Sequence, residues 1–286
     1  MGKPADLHPT LDAGPSPPPY SEHDHNREEQ VPQYEAPTCS QSADGSKTLQ
    51  SATIKFPPTI NGYFQWKLTT TIHLGPTADE KLFAVSTHST FFNKPSIVLH
   101  DGPTNQHPVM ASVRGDKWGR NRPLAITLPV RPESSHQQDI EVTMIPSPSS
   151  SLHPTFTFDL SVGGKGSGPE RFEWRKSQGT EIKELATGLS YGWKLVRLSG
   201  PADGVGGKRK EREQGVTNDG REILALIAHN ASWSMTKGFR IAFMGTGLTG
   251  TLGETWEIVT IASALQLWYL DYQGSVAASG ANAAAT

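Results

Sequence analysis

The stretch Glu254–Asp271, ETWEIVTIASALQLWYLD, constrains the fold most, because it is the only long apolar run in the chain and lies close to the C-terminus. Between Trp256 and Leu270 eleven of fifteen residues are apolar, and the exceptions, Glu257, Thr260, Ser263 and Gln266, recur every third residue. At roughly 100° per residue that spacing drifts round about half the helix circumference, so no face stays continuously wet. Such a helix is either buried in protein or spans a membrane. The uninterrupted part, Ile258–Leu270, is thirteen residues and contains Thr, Ser and Gln, against about 20 for a span, and neither end carries a Lys or Arg anchor. Burial is the expectation, with Trp256, Ile258, Ile261, Leu265 and Trp268 as the helix core. Each large side chain buried is worth about 1.5–3 kcal/mol, so the segment is a strong gross driving force.

Residues 1–50 have the opposite character. They hold eight of the 22 prolines and scarcely any branched aliphatic residues, a composition that cannot repay its ordering entropy, and a disordered tail is expected there. Within it Pro17-Pro18-Pro19-Tyr20 matches the PPxY pattern, a polyproline II stretch ending in tyrosine. The match admits two readings, a ligand for the aromatic groove of a WW domain or a stiff, solvated spacer. Val31-Pro32-Gln33-Tyr34 is a weaker echo. Met1–Gly14 is polar and broken by Pro4 and Pro9, so no secretory signal is expected in it. The single Cys39 falls in the tail, which excludes an intramolecular disulfide and points to a reducing compartment.

From about Thr53 short alternating runs separated by Gly, Pro, Asn and Asp take over. Runs are expected as strands at 66–74, 82–86, 96–100, 109–114, 124–130, 139–145, 155–162, 170–176, 191–198, 222–229 and 239–244, with a shorter one at 248–252. No amphipathic helix of ordinary length separates them, so a closed antiparallel barrel or sandwich of about twelve strands is favoured over a parallel sheet. The expected organisation is a tail over 1–50, a barrel domain over 51–273 wrapped round the C-terminal helix, and a second disordered tail over 274–286.

The chain offers little chemistry. A net charge of −2 and a pI near 6.6 give no basic footprint for nucleic acid. Gly245-Thr246-Gly247-Leu248-Thr249-Gly250 fits G-x-G-x-x-G, with Asp271 about twenty residues on, yet no crossover helices precede it and only fifteen residues follow Asp271. Turn glycines leading into the helix are the better reading. There is no nucleophile elbow, HExxH, P-loop or Cys/His metal spacing, so no catalytic residue, cofactor or metal is nominated. His73, His100 and His229 read as hydrogen-bonded structural residues. Glu170 and Glu173, alternating with Arg171 and Arg175, read as cross-strand charge pairs on a wet face. The long connection Ser199–Gly220 holds Lys208, Arg209, Lys210 and Arg212, a run that suits anionic lipid headgroups or a nuclear localisation signal, or is a solvated insertion offset by Glu211 and Glu213.

The order of features, a Pro-rich start with PPPY, about twelve strands and a hydrophobic C-terminal helix, resembles the tubby C-terminal-like superfamily, which includes the LURP-one-related and phospholipid scramblase families. The segments Glu170-Arg171-Phe172-Glu173-Trp174-Arg175, Gly192-Trp193-Lys194-Leu195-Val196-Arg197-Leu198 and Gly247-x-x-Gly250-x-x-Gly253-Glu254-x-Trp256 are similar to segments of uncharacterised fungal members. The resemblance implies a closed twelve-stranded barrel threaded by the C-terminal helix, with roles from phosphoinositide binding to lipid-linked activity. No lipid-binding motif and no calcium-binding acidic segment of that family maps onto this chain. The functional expectation is a non-enzymatic intracellular scaffold, cytoplasmic and peripheral to a membrane or nuclear, that binds anionic phospholipid and recruits a WW-domain protein of the ubiquitin-ligase type. The alternatives are a protein-interaction module that does not touch lipid, and a cryptic enzyme or nucleotide binder using Gly245–Gly250.

Overall fold

The computed structural model describes residues 54–64, 71–88, 94–115, 122–132, 137–147, 154–163, 168–186, 190–199, 215–229 and 237–283, with side chains described to residue 276. Twelve strands form the wall: β1 (Thr59–Phe64), β2 (Thr71–Gly75), β3 (Phe83–Thr87), β4 (Ile97–His100), β5 (Val109–Gly115), β6 (Leu124–Leu128), β7 (Ile140–Pro146), β8 (Thr155–Ser161), β9 (Pro169–Ser177), β10 (Gly192–Arg197), β11 (Ile223–His229) and β12 (Lys237–Phe243). Each strand pairs antiparallel with its sequence neighbours, and β1 closes the barrel against β12 with Ile60 opposite Ile241. Closure leaves no unpaired edge for another chain to extend. Helix α1 (Thr180–Ala186) lies outside the wall, where Ile182 and Ala186 cover Ile223, Leu226 and Ala228.

Helix α2 (Glu254–Ala283) fills the lumen. It enters at the mouth where β12 ends and leaves at the opposite mouth, where Asp271 meets Trp193 and His229. Thirteen consecutive residues, Trp256 to Trp268, are buried, among them Trp256 (0 % exposed), Ile258 (1 %), Ile261 (0 %), Leu265 (0 %) and Trp268 (2 %). The inward faces of the strands supply the shell, with Phe239 4.7 Å and Phe64 5.6 Å from Trp268 by ring centroids. Among the described residues no helix is long and apolar enough to cross a membrane.

Three of the four every-third-residue polar positions, Glu257, Ser263 and Gln266, serve as staples, while the Thr260 hydroxyl has no hydrogen-bond partner among the described residues. Glu257 Oε2 accepts the backbone N–H of Lys55 (2.8 Å) and of Phe56 (3.2 Å), so the start of the described chain is tied to the first turn of α2. Ser263 Oγ accepts from Trp174 Nε1 at 2.9 Å, and Ser96 Oγ donates to Gln266 Oε1 at 2.6 Å. Drift of these positions round the helix aims them at different strands, which fixes both rotation and depth. A polar group buried without a partner costs roughly 1–3 kcal/mol, so a shifted helix leaves several such groups unpaired at once.

Four expectations are corrected. Residues 248–252 are not a strand: a 3₁₀ turn, Gly245–Leu248, and further turns lead into α2. The first strand, β1, replaces it in the count; Pro57-Pro58 and Asn61-Gly62 disguise it in the sequence. Gly62 is required inside that strand, because a Cβ there would lie 2.2 Å from the Phe239 ring. The helix does not end near Asp271 but continues to Ala283, and the seven-residue α1 is too short to announce itself by periodicity. The run 66–74 contributes Thr71–Gly75 to β2, and residues 65–70 lie outside the described set. Gly245, Gly250 and Gly253 have φ of +50°, +70° and +87°, the turn role expected of them, and α2 packs inside the barrel instead of beginning a βαβ unit.

Trp268→Asp is expected to cost several kcal/mol by placing a charge among Phe64, Phe239 and Tyr272. Thermal unfolding checks it: loss of the cooperative transition or of soluble protein is the expected outcome, and a near-normal Tm contradicts burial of the helix.

Candidate binding surface

With α2 filling the lumen and Ser263 and Gln266 bonded to the wall inside it, the charged clusters among the described residues lie at the two mouths and on the outer wall. At the entry mouth Arg131 donates to Asp101 (2.7 Å) and to Glu254 (3.0 Å), and Lys55 Nζ reaches Asp101 at 2.9 Å. Burial raises the Glu257 carboxyl above its usual range, and the nearby Glu254 charge adds to that, although the Lys55 and Phe56 N–H groups oppose it. At the exit mouth Asp271, 3 % exposed, accepts from Trp193 Nε1 at 2.9 Å and from Lys176 Nζ at 3.2 Å, with His229 Nε2 at 3.3 Å. The Lys176 ammonium also sits 5.1 Å from the Tyr191 ring centroid, and Tyr191 stacks on His229 at 4.3 Å. Burial pushes the Asp271 carboxyl up, but His229, Trp193 and Lys176 outweigh it and hold it below the usual range. Both clusters anchor α2 to the wall.

Of the charges expected as cross-strand pairs on β9, Glu170 and Arg171 form them, whereas Glu173 and Arg175 pair along their own strand. Arg171 forms a two-bond pair with Asp159 directly opposite on β8 (2.8 and 2.9 Å), and Arg197 on β10 pairs with Glu170 (2.6 and 2.7 Å). Arg175 pairs with Glu173 on its own strand and with Asp219. His100 is hydrogen-bonded as expected, to Ser86 Oγ and to the His107 carbonyl, both at 3.1 Å. Both ring nitrogens of the buried His73 lack a hydrogen-bond partner of good geometry among the described residues; burial lowers its pKa, the Lys81 charge lowers it further, and the Pro103 backbone opposes the shift.

The wall is segregated by charge. Every Asp and Glu carried by a strand lies on three adjacent strands, β7 to β9, as Glu141, Asp159, Glu170 and Glu173. The eight adjacent strands β11, β12 and β1 to β6 carry no carboxylate, and their charged residues are Arg114, Lys237 and Arg240. Where β12 meets β1, a β-bulge at Gly62/Tyr63 brings Tyr63 opposite Lys237. Burial lowers the Lys237 pKa and the Arg240 charge lowers it further; burial raises the Tyr63 pKa while Arg240 opposes the rise. These mutual effects place Tyr63, Lys237 and Arg240 in one electrostatic neighbourhood. No carboxylate among the described residues is within ion-pair distance of Arg240, and its buried Nε has no hydrogen-bond partner there.

A cleft of about 670 Å³ runs between α1 and residues 215–218, lined by Glu181, Glu184, Lys194 and Thr217 among others. Lys194 is paired with Glu181 at 3.3 Å, so the cleft presents both signs of charge. Among the described residues no cluster of His, Cys, Asp and Glu has the form of a metal site.

Pro17, Pro18, Pro19 and Tyr20 lie outside the described residues, and so do Lys208, Arg209, Lys210 and Arg212. The described flanks of that basic run, Ser199 and Gly215, follow β10 and precede β11 at the entry mouth, where Ile223 N–H donates to the Gly215 carbonyl. The cationic wall was not read from the sequence, because its residues are scattered singly and only strand adjacency unites them. Compared with protein-family models, with curated proteins and with solved structures, the chain matches none.

Because the Asp271 pKa is lowered on folding, its contribution to stability is complete above the ordinary carboxylate range and is lost as pH falls through the folded value. Asp271→Asn should therefore lower Tm near neutral pH and flatten its decline in acid. Parallel Tm–pH curves for the two proteins contradict this.

Proposed function

We propose that this chain is a non-enzymatic adaptor whose barrel associates peripherally with anionic phospholipid and whose tail, through Pro17–Tyr20, recruits a WW-domain protein. The observation that carries the lipid half is the carboxylate-free wall of eight strands, with Lys237 and Arg240 adjoining Tyr63 at its closing seam. A phosphate-bearing headgroup satisfies an arginine that lacks a protein carboxylate, and the guanidinium fork suits phosphate oxygens. The filled lumen supports the same reading, since it leaves the outside of the barrel for recognition. Lys208–Arg212 is a second electrostatic element in this proposal, and the resemblance to tubby-like proteins agrees with it.

A pure protein-interaction role is favoured by one feature, the α1-side cleft, whose paired Glu181 and Lys194 suit a peptide better than an anion. Flotation of the full chain with phosphoinositide-containing against neutral phosphatidylcholine vesicles separates the two. Selective binding to the anionic vesicles is expected, weakened by at least about tenfold in Lys237→Glu/Arg240→Glu, since each basic residue near such a surface is worth about 1 kcal/mol. Equal or absent binding to the two vesicle types removes the lipid half. Tyr20→Ala should abolish capture by a WW-domain panel; unchanged capture makes the PPPY match incidental.

A further inference from the structure

We propose that the barrel meets the lipid surface end-on, through its exit mouth, with the projecting end of α2 entering the headgroup layer. This rests on the anionic-lipid reading above and adds to it an orientation and an apolar contact.

The helix supplies the apolar element. Its last buried side chain among those described is Asp271, and residues Tyr272–Ala283 continue the helix beyond it, about 18 Å at 1.5 Å per residue. Tyr272 is 45 % exposed and Val276 55 % exposed, and their i, i+4 spacing puts them on one side of the helix. Tyr272 stacks on Trp268 (5.5 Å) and lies 6.0 Å from Phe64, so this apolar side runs straight out of the core and its direction is fixed. The projecting sequence, YQGSVAASGANA, holds no charged residue, so no ion is desolvated when it enters an interface. A tyrosine whose ring is apolar and whose hydroxyl is polar suits the headgroup boundary.

The charge distribution along the barrel axis supplies the direction. Lys94 precedes β4, Arg114 is next to last in β5 and Lys237 begins β12, and all three belong to the exit mouth. Asp79, Asp101, Asp139, Glu222 and Glu254 lie at the other mouth, where Lys55 and Arg131 pair with Asp101 and Glu254, while Glu181, paired with Lys194, Glu184 and the buried Asp271 lie on the exit side. A negatively charged surface attracts the exit mouth, and docking in this orientation assigns the barrel's lipid contact to Lys94, Arg114 and Lys237 in place of the run Lys208–Arg212, whose described flanks Ser199 and Gly215 follow β10 and precede β11 at the entry mouth.

The test is flotation of the full chain with vesicles of phosphatidylcholine mixed with phosphatidylserine, at low and high salt, for the wild type, Tyr272→Ser/Val276→Ser and Val276→Asp. Tyr272 packs on the core, so thermal unfolding accompanies each variant; Val276→Asp is the variant that leaves the core untouched. The expected result is binding of the double variant weakened by about tenfold, a loss equivalent to ~1.4 kcal/mol, with its salt-resistant part removed, and a comparable loss for Val276→Asp. Wild-type levels for Val276→Asp, while the wild type still prefers the mixed vesicles, overturn the end-on insertion and leave the lipid reading standing. Failure of the wild type to prefer mixed over pure phosphatidylcholine vesicles overturns both. Light scattering on the same proteins completes it: a wild-type dimer that Val276→Asp converts to monomer, with vesicle binding unchanged, assigns the helix tip to a second copy of the chain and overturns the proposal.

Discussion

Everything in this structure depends on keeping a nearly all-apolar helix out of water. Twelve strands cannot close round an empty lumen of this width, and α2 cannot stay helical and soluble without a wall, so each supplies the other's missing surface. The cost falls on the polar groups carried inside. Glu257, Ser263, Gln266 and Asp271 find partners at the chain entry, β9, the segment leading into β4, and the β10–β11 mouth respectively, and these contacts convert an otherwise slippery apolar plug into one with a defined depth and rotation.

The two ends of the helix differ in electrostatic character. At the entry mouth the carboxylates of Glu254 and Glu257 lie at the positive end of the helix dipole, with Arg131 and Lys55 completing the network. At the exit mouth a single buried carboxylate, Asp271, gathers Lys176, Trp193 and His229 about the last buried turn. Burial pushes both carboxyls up; at Glu257 the neighbouring Glu254 charge adds to that and two backbone N–H groups do not offset it, whereas at Asp271 the His229, Trp193 and Lys176 groups outweigh it. Filling the lumen has a second consequence. Recognition moves to surfaces a barrel can vary freely, and there the acids collect on β7 to β9 while the rest of the wall has none.

The fold was legible in the sequence because its signals are local. Period-two alternation marked eleven of the strands, and the three-residue spacing of polar positions marked the helix as buried all round. β1 was hidden because a proline pair and an Asn-Gly step look like a turn unless Phe239 is known to lie against Gly62. The Gly245–Gly250 motif misled in spacing alone; its glycines turn the chain into the lumen. On the surface the contiguous run Lys208–Arg212 is conspicuous in one dimension, while Lys237, Arg240 and Arg114 are not.

The sequence by itself determined that an apolar helix near the C-terminus must be buried by short antiparallel strands, since hydrophobic periodicity and turn chemistry act over a few residues. Only the tertiary structure decided which polar group on the helix meets which strand, which charges meet at each mouth, and that Tyr272 and Val276 are exposed past the last buried turn. Those outcomes depend on strand adjacency and on how much of a 30-residue helix the barrel can enclose, and neither is encoded within the span of any one element.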